Sequence, residues 1–135
     1  MVKAKYANFM ATGLKEIDDQ HQRFLSLCAA IIDAAAKNET KEIEKEKIEA
    51  LEKYAYVHFK TEQAFMFKYK YPDYDGHNRL HSHFMDELKT IRSRALHGET
   101  GRLFSSEIKE KIYDWFVLHI EKNDLKMIAF IKDVM

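Results

Sequence analysis

A chain of 135 residues has the size of one domain with one continuous core, and a single domain over residues 1–135 is expected. Its 22 Lys and Arg balance 22 Asp and Glu, which leaves no long-range positive field for nucleic acid, and no run approaches the roughly 18 apolar residues of a membrane span. The lone Cys28 excludes an internal disulfide, and the lysine-bearing opening is unlike a signal peptide, so a soluble cytoplasmic protein is expected.

Residues 1–17 contain Gly13 and no sustained period, and read as an N-terminal arm. From Asp18 or Asp19 to about Lys37, His21, Leu25, Cys28, Ile32 and Ala35 recur at alternating spacings of four and three, the mark of an amphipathic helix. After the polar break Asn38-Glu39-Thr40, a second helix to about Lys70 carries Leu51, Ala55, His58, Glu62 and Phe65 on one stripe. The charged run from Lys41 to Lys53 reads as a solvated helical face. Tyr71-Pro72-Asp73-Tyr74 ends this helix, because proline disfavours helical geometry in the residue before it. A third stripe is His77, His81, Phe84, Leu88 and Ile91, closed by the turn signal His97-Gly98-Glu99-Thr100-Gly101. A fourth carries Ile108, Ile112, Trp115 and His119, and Asn123-Asp124 could cap a short last helix. Four amphipathic helices with short connections predict an all-α, antiparallel, up-down-up-down four-helix bundle with an N-terminal arm and a short C-terminal helix.

His21, His58, His77, His81 and His119 fall where leucines would fill a plain core, so all four helices aim imidazoles at one interior. A buried imidazole without a partner costs about 1–3 kcal/mol. One such histidine is usually a hydrogen-bonded core residue, but five together, with the carboxylates Glu62 and Asp124 in related places, point to metal. His58/Glu62 and His77/His81 are four apart and share a helix face. His119 and Asp124 are five apart, an offset of about 140° on a regular helix, so both reach one site only if the backbone bends or breaks near residues 121–124. Five nitrogens and two carboxylates exceed one tetrahedral zinc and suit two carboxylate-bridged ions of intermediate softness, iron above others. A nitrogen-rich shell with few anionic ligands favours binding oxygen over activating it.

Ile17-Asp18-Asp19-Gln20-His21, His58-Phe59-Lys60-Thr61-Glu62, Tyr71-Pro72 followed by His77 and His81, and Trp115-Phe116-Val117-Leu118-His119-Ile120 with Asp124 resemble the hemerythrin family in its single-domain bacterial form. The resemblance covers the chain from about residue 9 to its end. It implies His77, His81 and His119 on one iron and His21 and His58 on the other, with Glu62, Asp124 and an oxo or hydroxo group bridging the pair. It also implies an open position for dioxygen on the two-histidine iron. Two departures stand out: Gln63 replaces a second glutamate common in the family, and Phe9 or Tyr6 replaces the tryptophan common in the arm.

Phe24, Leu25, Phe59, Trp115, Phe116 and Ile120 neighbour these positions and are candidate walls of an oxygen pocket. His83 and His97 read as solvated and dipole-facing residues respectively, and Cys28 as a small core residue. The functional expectation is a monomeric oxygen carrier or store, with an oxygen-consuming enzyme or a reductase as the kind of partner it would serve. The alternatives are a di-iron redox enzyme acting on peroxide or nitric oxide, and a sensing module that works with a separate partner.

Overall fold

The computed structural model describes residues 11–39 and 41–135, so the substitutions at Phe9 and Tyr6 lie outside the described residues. Helices α1 (Lys15–Ala36), α2 (Lys41–Lys68) and α3 (Tyr74–Leu96) are followed by a fourth, longer helical run. That run consists of α4 (Arg102–Ile108), α5 (Trp115–His119) and α6 (Leu125–Val134), joined through π turns at Lys109–Asp114 and Ile120–Asp124. α1 packs on α2 and on the fourth run, α2 also packs on α3, and α3 packs on the Lys109–Asp114 stretch of the fourth run, which closes a four-helix bundle. Among the described residues, no helix is long and apolar enough to cross a membrane.

Helix α1 starts at Lys15, three residues before the expected start at Asp18. Asp18 sits in the first turn, and its carboxylate accepts the Thr12 N–H at 2.8 Å, the Thr12 hydroxyl at 2.9 Å and the Gly13 N–H at 3.3 Å. A negative side chain beside the positive end of the helix dipole thus also ties down the segment leading into it. The first three helices end alike. Asn38 (φ 54°), Lys70 (φ 55°) and Gly98 (φ 91°) adopt left-handed geometry, and the next residue's N–H reaches back five positions to a carbonyl: Glu39 to Ala34, Tyr71 to Met66, Glu99 to Arg94. This is the Schellman closure, which satisfies carbonyls that a helix end would otherwise orphan. Gly98 adopts the left-handed region without strain, whereas Lys70 does so against the preference of its Cβ.

The fourth run does not break at the His119/Asp124 spacing. Asp124 itself is right-handed helical (φ −70°, ψ −42°) and makes no capping hydrogen bond, so the expected cap at Asn123-Asp124 is corrected to an uninterrupted entry into α6. The anticipated departure from regular helix is instead the π turn Ile120–Asp124, whose i→i+5 pattern brings residues five apart onto one face. The other π turn does the same for Lys109 and Asp114, whose Nζ and carboxylate oxygens lie 3.0 Å apart.

Two apolar cores fill the bundle. The larger includes Phe24, Leu25, Cys28, Leu51, Phe84, Leu88, Phe116 and Ile120; the smaller includes Ile17, Met66, Tyr71, Met127, Ile128 and Ile131. Along α1, His21 lies between Ile17 and Phe24; along α2, Glu62 lies between Phe59 and Met66; along the fourth run, Asp124 lies between Ile120 and Met127. A polar layer therefore separates the two cores.

Candidate metal centre

The polar layer gathers all seven residues singled out by spacing. His21, His58, Glu62, His77, His81, His119 and Asp124 are each no more than 5% exposed. Their side-chain atoms form two sets that could each hold a metal ion, one from Glu62, His77, His81, His119 and Asp124 and one from His21, His58, Glu62 and Asp124, with the donor atoms of each set within 4.8 Å of one another. The carboxylates belong to both, one oxygen to each. Glu62 Oε1 lies 3.2 Å from His77 Nε2 and 3.0 Å from His81 Nε2, while its Oε2 lies 3.2 Å from His58 Nε2 and 3.5 Å from His21 Nε2. Asp124 Oδ1 lies 3.0 Å from His119 Nε2 and 3.1 Å from His77 Nε2, and its Oδ2 lies 2.9 Å from His21 Nε2. The π turn is what lets Asp124 join His119 in this layer.

The donor set itself tests whether cations fit. His58 Nε2, Glu62 Oε2 and both Asp124 oxygens are buried without a well-formed hydrogen bond, and His81 Nε2 faces His119 Nε2 at 3.2 Å. Two imidazole nitrogens at that distance need a proton or a cation between them. Orphaned donors of intermediate softness converging on two points are what a pair of divalent ions requires.

Electrostatics of the protein groups alone agree. Burial opposes charging His21, yet its bonds to Asp124 and Glu62 outweigh burial and push its imidazole up to about 9. The same balance takes His77 to about 9. Burial likewise opposes an ionised Glu62, but His58, His21 and His77 hold it well below the ordinary carboxylate range; Asp124 is lowered against burial and Glu62 by His119 and His21. His81 goes the other way, because burial outweighs its contact with Glu62. The layer favours positive charge beside its carboxylates.

Residues 12–131 match the family description "Hemerythrin HHE cation binding domain". The chain belongs to the hemerythrin family. It is similar to the bacteriohemerythrin of Methylococcus capsulatus, 30% identical over 113 residues that make up 84% of each chain. It is 28% identical to that of Pseudomonas aeruginosa over 124 residues, 92% of this chain and 78% of that one. A wild-type hemerythrin crystal structure superposes with a TM-score of 0.81 at 22% identity, covering 97% of this chain and 98% of that one, which shows the shared bundle.

Around this hemerythrin metal-binding cluster, the candidate wall residues divide by side. Phe24 and Phe116 stack at 3.7 Å, with ring centres 5.8 and 5.9 Å from His58, and Phe116 is 5.6 Å from His21. Phe59 stacks on His81 at 3.9 Å and Trp115 on His119 at 4.9 Å, each nearly parallel. Leu25 and Ile120 are fully buried in the larger core. Gln63, the departure from the family pattern, donates to the Tyr74 hydroxyl at 2.9 Å and is not part of the cluster. His83 is exposed, and His97 Nδ1 donates to the Ser93 carbonyl at 2.7 Å.

One residue with a role was not singled out by spacing. His58 Nδ1 donates to Gln20 Oε1 at 2.7 Å, which fixes the ring tautomer and leaves Nε2 free to face the cluster. Gln20→Leu is expected to lower metal affinity by about 10- to 100-fold while leaving the helical circular dichroism unchanged. Competition with a chelator measures it, and equal affinity would remove Gln20 from the site.

Proposed function

We propose that the chain binds dioxygen reversibly at a pair of iron ions held in the polar layer. His77, His81 and His119 would hold one ion, His21 and His58 the other, and Glu62 and Asp124 would bridge them with a solvent-derived oxo or hydroxo group. An iron pair held there would supply the two electrons that dioxygen takes on binding and gives back on release. The observation that carries the reading is the asymmetry of the donors. One set offers three imidazoles and the other only two, and the poorer set is the one faced by buried Phe24 and Phe116.

The protein's part is to position and to exclude. Gln20 orients His58, the two carboxylates hold both sets in register, and the stacked phenylalanines keep water and protons from the two-histidine side. A dry apolar wall slows proton entry, which is how oxidised by-products form in place of released oxygen.

The deciding measurement is metal analysis with an optical spectrum of the reduced protein before air, after air, and after oxygen is removed. Two irons per chain with a charge-transfer band that comes and goes with oxygen support the reading. Irreversible oxidation moves the assignment to a redox enzyme or sensor, and absence of iron overturns it. His58→Ala, which takes one of only two imidazoles from the poorer set, is expected to leave that ion at half occupancy or less and to abolish the oxygen-dependent band. Full two-iron occupancy with unchanged oxygen binding would remove His58 from the assignment.

A further inference from the structure

Helix α2 carries a second apolar stripe on the side facing away from the core. Its buried residues include Ile48, Leu51, Ala55, His58, Phe59, Glu62 and Met66. Ile43, Ala50, Val57 and Ala64 recur at intervals of seven on another face, and Phe67 follows three residues after Ala64. These residues are exposed: Ile43 is 39%, Val57 56% and Phe67 76% exposed, and Tyr56, beside Val57, is 59% exposed. An apolar residue every seven positions on a solvent-facing helix makes a shallow apolar stripe that a second helix can cover. Half of the large hydrophobic residues exposed among the described residues lie on this one helix.

The charges on α2 say which helix. Besides the buried Glu44, residues 41–52 hold four glutamates against three lysines, whereas residues 53–70 hold Lys53, Lys60, Lys68 and Lys70 against only the buried Glu62. A second copy of α2 laid antiparallel sets each acidic half against a basic half, and a parallel copy would set like against like. With Ile43 opposite Phe67 of the second copy, Glu42 falls opposite Lys68, so an apolar pair and an ion pair close each end of the contact.

We propose that the protein forms a reversible, antiparallel homodimer through this outer face of α2. The helix of 28 residues is about 42 Å long. With alanines at two of its four repeat positions it covers on the order of 1,000 Å² in total, the range of weak and transient contacts. The monomer expected from sequence is then the dilute state. Association also reaches the metal centre: Tyr56 lines a crevice of 340 Å³ between α2 and α3 whose lining includes Phe59 and His81, so a helix lying over Tyr56 narrows it.

Sedimentation velocity of the metal-loaded full chain from about 5 to 500 μM tests the association, with a concentration-dependent dimer expected. Val57→Lys combined with Phe67→Ser should weaken it at least tenfold at unchanged helicity and metal content. Glu46→Lys and Lys60→Glu should each weaken it, and together restore it. Direction is read from a spin label at Lys68→Cys, since Cys28 is fully buried and does not compete for the label. Antiparallel packing puts the two labels about 39 Å apart, parallel packing about 10 Å. A monomer at every concentration, a dimer indifferent to the Val57 and Phe67 changes, or labels in close contact would each overturn the proposal.

Discussion

On the proposed two-iron site, Asp124→Ala is expected to weaken the hold on both ions, lowering bound metal from two per chain to one or none and apparent affinity by more than about a hundredfold, beyond what losing a group that merely orients a ligand costs. The reason is its double membership. Asp124 sends Oδ2 to His21 and Oδ1 to His77 and His119, so its removal depletes both donor sets, whereas His58→Ala depletes one. It also leaves imidazoles facing one another with less negative charge between them. Elemental analysis after equilibration with ferrous ion measures the loss, and Asp124→Asn, which keeps the shape, separates charge from packing. Two tightly bound ions in Asp124→Ala would show that Asp124 is not a bridge.

The second large effect concerns removal of metal. Each ion present at a hundredfold excess over its dissociation constant stabilises the fold by about 2.7 kcal/mol, so stripping a pair should lower the melting temperature by at least about 10 °C at neutral pH. The dependence on pH should differ in sign between the two forms. Without metal, His21 and His77 are raised from 6.5 to about 9, so their contribution is complete below about pH 6.5 and is lost as pH rises through 9. Glu62 and Asp124 are depressed, so theirs is present above the ordinary carboxylate range and is lost as pH falls towards their lowered values. The metal-free protein should therefore be most stable in mildly acidic solution. Metal requires neutral imidazoles, so the loaded protein should gain from pH 6.5 to 9, and below about pH 5 it should release its ions. Melting curves of both forms at pH 6 and pH 9 decide it. A gap that stays constant between those values would contradict the electrostatic account.

The metal layer was legible because histidine at a leucine position is costly unless something binds it, and that cost repeats on every helix. Helix ends were legible only where the residue type carries the signal. Gly98 marks its turn, but Lys70 adopts the same left-handed geometry with no propensity for it, so proline at position 72 was credited with ending α2. The five-residue interval from His119 to Asp124 announced irregular backbone without saying which kind, and the π turn at Lys109–Asp114 went unannounced because the pair it aligns is an exposed ion pair and not two metal donors. Gln20 and His58 lie 38 residues apart in the chain, and a single hydrogen bond at that separation leaves no periodic trace. The outer stripe of α2 was masked by the charges between its apolar residues, which read as a solvated face.

The π turns bear on how this chain can change length. Each completes its turn with one residue more than an α-turn, so the helix on either side keeps its phase. Removing one residue from within Ile120–Asp124 regularises the backbone and leaves the histidine and aspartate four apart, the relation His58 and Glu62 already have. The same deletion between His58 and Glu62 would rotate everything beyond it by about 100° and turn Met66 out of its core. The fourth helix can thus shed a residue at this turn without redrawing its faces, and α2 cannot, which makes the fourth helix the place where such a loss is neutral to the metal centre.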